Sequence, residues 1–309
     1  MIITVTLNPA VDKTIYLGEF TKGAVNRVQE VRKDAGGKGI NVSKVVAKLG
    51  GTTTAIGFLG GAAGKFISTA MTDFDIKQNF VQLTGETRTN LKIVDKDNHE
   101  ETEINEPGAQ VNINQLAELE EQILSTAKAG DSVVLTGSLP PGVPEDIYAK
   151  LTKKLQQKDI KVFLDASGAA LEAGITANPY VIKPNITELE RLLGQELSTN
   201  EDILDAAKTI QAQGVEIVVI SRGSKGSLVV AEEKACQVIP PAVELNSTIG
   251  AGDTLVGALA LKLESGVSLS EALRYATAAS ANSVTQPGTQ LCETEGVEQL
   301  LEEVEIIEL

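Results

Sequence analysis

The residues best able to do chemistry in this 309-residue chain lie in short glycine-bearing clusters. Thr248-Ile249-Gly250-Ala251-Gly252-Asp253-Thr254 precedes a helical pattern with Leu255, Val256, Leu259 and Leu263 on one face. Glycines ahead of a helix leave backbone N–H groups unobstructed, and the helix N-terminus adds partial positive charge, so the segment suits an anion. Asp253 there also reads as a plain N-cap, worth about 1 kcal/mol. Ala35-Gly36-Gly37-Lys38-Gly39-Ile40-Asn41 opens the helix ending at Leu49 and places free N–H groups beside a cation. A loop with a solvated lysine is its ordinary alternative. Ser221-Arg222-Gly223-Ser224-Lys225-Gly226 leaves one apolar run and enters another, Ser227–Val230, as a phosphate-binding turn or a mere hairpin would.

Lys183-Pro184-Asn185-Ile186-Thr187-Glu188 begins a helix directly after an apolar strand. Asn185 and Glu188 have capping-box spacing. The same two oxygens lie where Mg²⁺, held through water, could bridge nucleotide phosphates. Thr136-Gly137-Ser138-Leu139-Pro140-Pro141-Gly142 also leaves the C-terminal end of a strand, the edge at which α/β sheets bind ligands. Two familiar nucleotide signatures are missing. Gly60-Gly61-Ala62-Ala63-Gly64-Lys65-Phe66 is one residue short of a P-loop and has Phe66 where a Mg²⁺-binding hydroxyl belongs. The first strand runs into Asn8-Pro9-Ala10-Val11-Asp12 rather than GxGxxG.

These clusters must be held by a scaffold, and the hydrophobic pattern describes one. Strands are expected at Ile2–Leu7, Thr53–Leu59, Ser132–Thr136, Lys161–Asp165, Tyr180–Ile182 and Val215–Ser221, most of them continuously apolar. Such runs suit strands covered on both faces of a mainly parallel sheet. Amphipathic helical segments alternate with them: Val42, Val45, Val46 and Leu49 in one, others near 113–127, 145–156 and 201–213, and 253–264, 269–285 and 293–302 towards the end. The order predicts a three-layer α/β/α fold. Lys13–Gly18, Thr87–Val94 and Glu100–Asn105 alternate in polarity and read as a small separate sheet.

Composition narrows the chemistry further. With 27 Lys plus Arg against 42 Asp plus Glu, the net charge of −15 repels a phosphodiester backbone, so nucleic acid is not an expected partner. Cys236 and Cys292 are too few for a disulfide scaffold or a thiolate zinc site. His99 is the sole histidine and sits in a charged stretch, so a general base is expected to be a carboxylate or a lysine. No run of 18 apolar residues and no secretory leader pattern is present, which makes the cytoplasm the expected compartment and membrane insertion unexpected.

Taken in order, Thr6–Asp12, Gly36–Asn41, Gly137-Ser138-Leu139-Pro140, Lys183–Glu188 and Gly250–Asp253 resemble the phosphofructokinase-B branch of the ribokinase-like sugar kinases. The resemblance spans essentially the whole chain and is strongest to the 1-phosphofructokinases and tagatose-6-phosphate kinases. It implies one ribokinase-like α/β/α kinase domain over 1–309, a β-sheet lid from about 9–34 and 86–108, and a homodimer paired through the lids. It further implies ATP and Mg²⁺, with fructose 1-phosphate as acceptor and fructose 1,6-bisphosphate as product. Tagatose 6-phosphate, fructose 6-phosphate, or a silent sugar-phosphate sensor on the same scaffold are the alternatives.

The resemblance also assigns roles. Asp253 would be the base, and Gly250, Ala251 and Gly252 would hold the migrating charge. Asp12 and Asn41 would bind sugar hydroxyls, and Lys38, Arg88 and Ser138, with Gly37 beside them, the sugar's phosphate. Lys183, Ser221, Gly223, Gly226 and Asn282 would line the ATP site. Asn185 and Glu188 would support Mg²⁺ through water. Relatives specialised for fructose 6-phosphate tend to carry glycine where Lys38 stands.

Overall fold

The computed structural model describes residues 1–232, 234–288 and 290–309. The chain opens with β1 (Ile2–Thr6), β2 (Ala10–Leu17), β3 (Glu30–Gly36) and α1 (Lys38–Lys48). Then come β4 (Thr53–Gly60), α2 (Gly61–Ala70), β5 (Ile76–Leu83), β6 (Arg88–Asp95) and β7 (Glu100–Asn105). The middle runs α3 (Ile113–Thr126), β8 (Ser132–Thr136), α4 (Ile147–Gln156), β9 (Lys161–Asp165) and α5 (Gly168–Ile175). After β10 (Val181–Ile182) follow α6 (Ile186–Leu193), α7 (Asn200–Gln211), β11 (Ile217–Ser221), β12 (Ser227–Ala231) and β13 (Lys234–Ile239). The chain ends with α8 (Ala251–Glu264), α9 (Leu269–Thr285), α10 (Thr294–Leu300) and β14 (Glu305–Glu308).

The main sheet has the order β14-β13-β12-β11-β10-β9-β8-β1-β4-β5. From β11 to β5 every neighbour pairs in parallel, as helical crossovers require. From β11 outward the pairing turns antiparallel, because the link from Ser221 to Ser227 is too short for a crossover. Alternate residues of the apolar strands face opposite layers. Val133, Leu135, Val162 and Leu164 pack with α3, α4 and α7, whereas Val134 and Phe163 pack with α1, α8 and α9. That burial on both faces is why these strands read as continuous apolar runs. The three-layer arrangement expected from the sequence is therefore present. A second sheet, β3-β2-β6-β7, stands beside it and contains the three segments of alternating polarity.

Some elements lie outside the sequence reading. Strand β3, Glu-Val-Arg-Lys-Asp-Ala-Gly, buries only its last two residues, and β5 is a sheet edge with polar residues interleaved; neither carries a strong period-2 signal. Strand β13 was also unexpected, as were helices α2 and α5, which are short and rich in Gly and Ala. The segment resembling a P-loop is the start of α2, and Glu86 occupies its N-terminus: Ala63 N–H donates to Oε1 at 2.6 Å. The chain's own carboxylate takes the position an anion would need.

Gly57 of β4 pairs with Thr6 of β1, two residues before Asn8 enters the cleft. A Cβ there would lie 2.0 Å from the Thr6 carbonyl oxygen, which is backbone and has no rotamer to yield. Gly57→Ala is expected to cost about 1–3 kcal/mol. The check is a lower urea midpoint at unchanged slope.

Candidate functional site

Asp253 sits on the third residue of α8, not at its N-cap. The helix starts at Ala251, two residues earlier than the sequence pattern indicates, and its N-cap is Gly250 with φ +79. That left-handed conformation favours glycine. Released from capping, the Asp253 carboxylate accepts a 2.8 Å hydrogen bond from Asn41 Nδ2 across the cleft from α1. The Gly252 and Asp253 N–H groups find no acceptor among the described residues. They are the open donors that an anion cradle needs. Ser280 Oγ donates to the Ala251 carbonyl at 3.0 Å and ties the loop to α9. Asp253 is 7% exposed. Burial, then repulsion from Asp165, pushes its carboxyl up to about 6, against the lowering influence of Lys38, Asn41 and Lys183.

Asp165 is the residue that reading the motifs missed. It closes β9 and is 2% exposed. Lys38 Nζ donates to its Oδ2 at 3.2 Å, and Lys183 Nζ lies 3.2 Å from Oδ1 in ion-pair range without hydrogen-bond geometry. Burial alone would raise this carboxyl; Lys183 and Lys38 outweigh it and hold it below the usual carboxylate range. The same attraction, from Asp165 and then Asp253, holds Lys38 above the ordinary lysine value despite the lowering effect of burial. One sequence signal existed: a carboxylate ending the apolar run Val162-Phe163-Leu164 at the ligand-binding edge.

On one side of this cluster stand the residues assigned to the acceptor. Asn90 Nδ2, from β6, donates to Asp12 Oδ1 at 3.0 Å, and burial raises the Asp12 carboxyl despite that bond. Asn90 Oδ1 is itself buried without a partner. These two residues line a cleft of about 110 Å³ that reaches from the small sheet to Ile249, just before α8. Gly36 makes room for Asp12, since a Cβ there would meet its carboxylate at 2.0 Å. Gly37 is the N-cap of α1, beside Lys38. Arg88 is held by the Asn8 carbonyl, with Nε at 3.2 Å and Nη2 at 3.0 Å, and by the Glu106 carbonyl at 3.1 Å. Its Nη2 is 3.4 Å from Ser138 Oγ, so Arg88 and Ser138 meet as expected. Tyr148, fully buried, donates to the Thr136 and Gly137 carbonyls at 3.1 Å and fixes the turn that presents Ser138.

On the other side lie the residues assigned to the nucleotide. Asn185 bridges to Ser221, and Ser221 N–H donates to the Pro184 carbonyl at 3.0 Å, which puts the two loops side by side. Lys183 Nζ lies 3.3 Å from where a Cβ on Gly252 would be. Gly223 and Gly226, both with positive φ, shape the β11–β12 hairpin. Asn185 and Glu188 do form a capping box: Glu188 N–H donates to Oδ1 at 2.8 Å and Asn185 N–H to Oε2 at 2.9 Å. Among the described residues no group of three or more His, Cys, Asp or Glu side chains converges as a metal cage. Asn282, the remaining residue assigned to the nucleotide, lies on α9. Its Oδ1 accepts from Glu293 N–H at 2.8 Å, joining α9 to the start of α10.

The sequence profile of the pfkB family carbohydrate kinases matches residues 5–295. A 1-phosphofructokinase of Xanthomonas campestris pv. campestris is 42% identical over 89% of this chain and 88% of its own. The ATP-dependent 6-phosphofructokinase isozyme 2 of Escherichia coli is 36% identical over 97% of both chains. The tagatose-6-phosphate kinase of Staphylococcus epidermidis is 34% identical over 100% of both. Among solved structures, phosphofructokinase-2 from Escherichia coli in complex with potassium superposes with a TM-score of 0.93 at 35% identity, covering 98% of each chain. Arabidopsis thaliana ribokinase complexed with ribose and ATP gives 0.80 at 25% identity, covering 97% of this chain and 98% of its own. The fold is ribokinase-like. No helix among the described residues is long and apolar enough to cross a membrane.

The raised Asp253 carboxyl carries a stability consequence that does not depend on function. Between its unfolded value of 3.8 and about 6 the folded chain keeps a proton that the unfolded chain releases. Asp253 therefore favours folding below that window, and the benefit is lost as pH rises through it. Asp253→Asn, which keeps the shape and the Asn41 contact, is expected to unfold at higher temperature than the parent at pH 8. The gap should close by about pH 4, measured by thermal unfolding across that range.

Proposed function

The chain belongs to the pfkB family of carbohydrate kinases, phosphotransferases with an alcohol acceptor, and from that premise we propose that its acceptor is fructose 1-phosphate. The product is fructose 1,6-bisphosphate. The observation that carries the mechanism is the convergence at Asp253 of a buried carboxylate, the Asn41 amide and two open N–H groups on a helix N-terminus.

Phosphoryl transfer asks for positioning and charge stabilisation more than for covalent chemistry. The free primary hydroxyl of the sugar attacks the γ-phosphorus of ATP. Its proton passes to Asp253, and the bond to the ADP oxygen breaks. A carboxyl near 6 is ionised at neutral pH yet basic enough to accept that proton as the new bond forms. The open N–H groups of Gly252 and Asp253 face the charge on the migrating phosphoryl, while the Ala251 N–H, expected to join them, donates to the Thr248 carbonyl at 3.4 Å. Asp12 and Asn41 bind ring hydroxyls. Lys38, Arg88 and Ser138 grip the phosphate already on the sugar. Lys183 and the Ser221–Gly226 turn take the nucleotide.

Mg²⁺, when bound, would neutralise charge on the nucleotide phosphates. Glu188 Oε2 and Asn185 Oδ1 are engaged in the capping box, while Glu188 Oε1 carries no hydrogen bond among the described residues. That donor set fits an ion held through water and phosphate oxygens rather than by a protein cage. The small sheet closes over the acceptor as a lid. Its exposed Val31 and Ile104, about half accessible, support pairing of two copies through it.

Lys38 and the name carried by the 42% identical relative support fructose 1-phosphate. Tagatose 6-phosphate is the second reading, supported by a relative 34% identical over the whole chain. A ketofuranose ring has approximate two-fold symmetry, so a phosphate at either end presents similar spans. Discrimination then rests on single hydroxyls, and a buried polar group left unpaired costs about 1–3 kcal/mol.

ADP release measured over a panel of sugar phosphates with Mg²⁺-ATP tests the reading. Fructose 1-phosphate is expected to give the highest kcat/KM; a tenfold preference for tagatose 6-phosphate overturns the sugar, and no turnover overturns the kinase. In the same assay Asp253→Asn is expected to lower kcat by about 10²–10⁴-fold with little change in acceptor KM. Arg88→Lys removes a planar fork that lysine cannot reproduce. Acceptor KM should then rise more than the KM for ATP, and an equal rise in both places Arg88 outside the acceptor site.

A further inference from the structure

Asp165 has no role in the chemistry above, yet the acceptor-side and nucleotide-side lysines both converge on it. Its carboxylate cannot wander. Thr136 Oγ1 donates to Oδ2 at 3.2 Å and to the Asp165 carbonyl at 2.9 Å, while Gly137 N–H donates to that carbonyl at 3.1 Å. The two lysines approach it from different elements: Lys38 from the first turn of α1, Lys183 from the end of β10. The start of α8 adjoins both elements: Lys183 Nζ lies against Gly252, and Asp253 is bonded to Asn41, one turn beyond Lys38. A free lysine head on a four-carbon stem has many rotamers. Two such heads sharing one immobile carboxylate have few.

We propose that Asp165 is a positioning residue for phosphoryl transfer, holding Lys38 on the acceptor side and Lys183 on the nucleotide side at a set separation and tempering their grip on bound phosphates. The proposal rests on the kinase reading. Its two parts make a signature that general damage to the fold does not. Loss of Asp165 leaves two cations with no shared counterion, so anionic substrates bind as well or better in the ground state. The same loss frees both heads from the geometry the transition state needs, and misplacement by about 1 Å can cost 10²-fold. A fall in kcat without a rise in KM is the mark of an interaction realised in the transition state.

The test is steady-state kinetics of Asp165→Asn, with the parent as control for the reading itself. A parent that transfers no phosphoryl group overturns the reading and this proposal together. Given an active parent, kcat is expected to fall about 10²-fold while KM for ATP and for the sugar phosphate stays level or drops. The loss should overlap with that of Lys183→Met, the double variant falling short of the product of the two single losses. A kcat within threefold of the parent, a rise in either KM, or fully multiplicative losses overturns the proposal and leaves the kinase standing. Should Asp165→Asn fail to fold, Thr136→Val decides the matter. It keeps the charge and removes the hydroxyl that fixes it: a several-fold loss of kcat at level KM supports the proposal, and an unchanged kcat overturns it.

Discussion

Two carboxylates buried in one cleft are the constraint around which the rest of the structure is arranged. Asp165 and Asp253 are 2% and 7% exposed, and the charge on Asp165 disfavours ionisation of Asp253. Buried charges of like sign persist only where cations and hydrogen-bond donors compensate them. Here the compensation is unequal. Asp165 takes both lysines and is held firmly ionised, whereas Asp253 has one amide donor and is pushed up to about 6. The asymmetry separates a permanent counterion from a group able to exchange a proton near neutrality. Removing one partner from a buried pair typically costs about 3–5 kcal/mol, so each member depends on the others staying in place.

The topology explains why these groups can meet at all. Strand β1 pairs with β4 on one side and with β8 on the other, so the chain reverses its direction of progress across the sheet between β1 and β8. Loops leaving the C-terminal ends of strands diverge at such a point and leave a crevice. Asn8 follows β1, Ser138 follows β8, Asp165 ends β9 and Lys183 follows β10, all along that one edge. The N-termini of α1 and α8 point into it with Lys38 and the Gly250–Asp253 turn. Far-separated residues such as Asn41 and Asp253 are joined by the sheet, not by the chain.

How much of this was legible in the sequence depended on what each residue does locally. Continuous apolar runs announced β1, β4, β8, β9 and β11, because burial on both faces leaves no polar position. Edge and small-sheet strands such as β3 and β5 escaped, their exposed side chains masking the period. Glycine clusters marked the Gly36–Asn41 and Gly250–Asp253 turns, since the local backbone there limits the choice of side chain. Asp165 escaped because nothing beside it in the chain is unusual; its meaning lies in Lys38 and Lys183, far away in sequence. Asn185 and Glu188 show the converse, a local capping box that forms as its spacing says.

The division of the cleft also bears on why relatives of similar identity carry the names of different sugars. On the proposed reading the group that moves a proton and the lysines that face phosphate charge sit at the ends of main-sheet strands and on α1 and α8, while Arg88 joins them from β6. Of the groups that reading offers to ring hydroxyls, Asn41 comes from α1, whereas Asp12 and Asn90 belong to β2 and β6 of the small sheet and meet there by a 3.0 Å hydrogen bond. Asn90 Oδ1, buried and unpartnered, is an acceptor awaiting a donor. On the proposed reading that donor is a hydroxyl of the acceptor sugar, and its position on the ring is what such an atom can discriminate. On that reading, changes at a few positions of the small sheet and at Lys38 exchange one ketohexose phosphate for another without touching Asp253, Asp165 or Lys183. Identity averaged over the whole chain weighs these few positions lightly. It is therefore a better guide to the phosphoryl transfer than to the sugar.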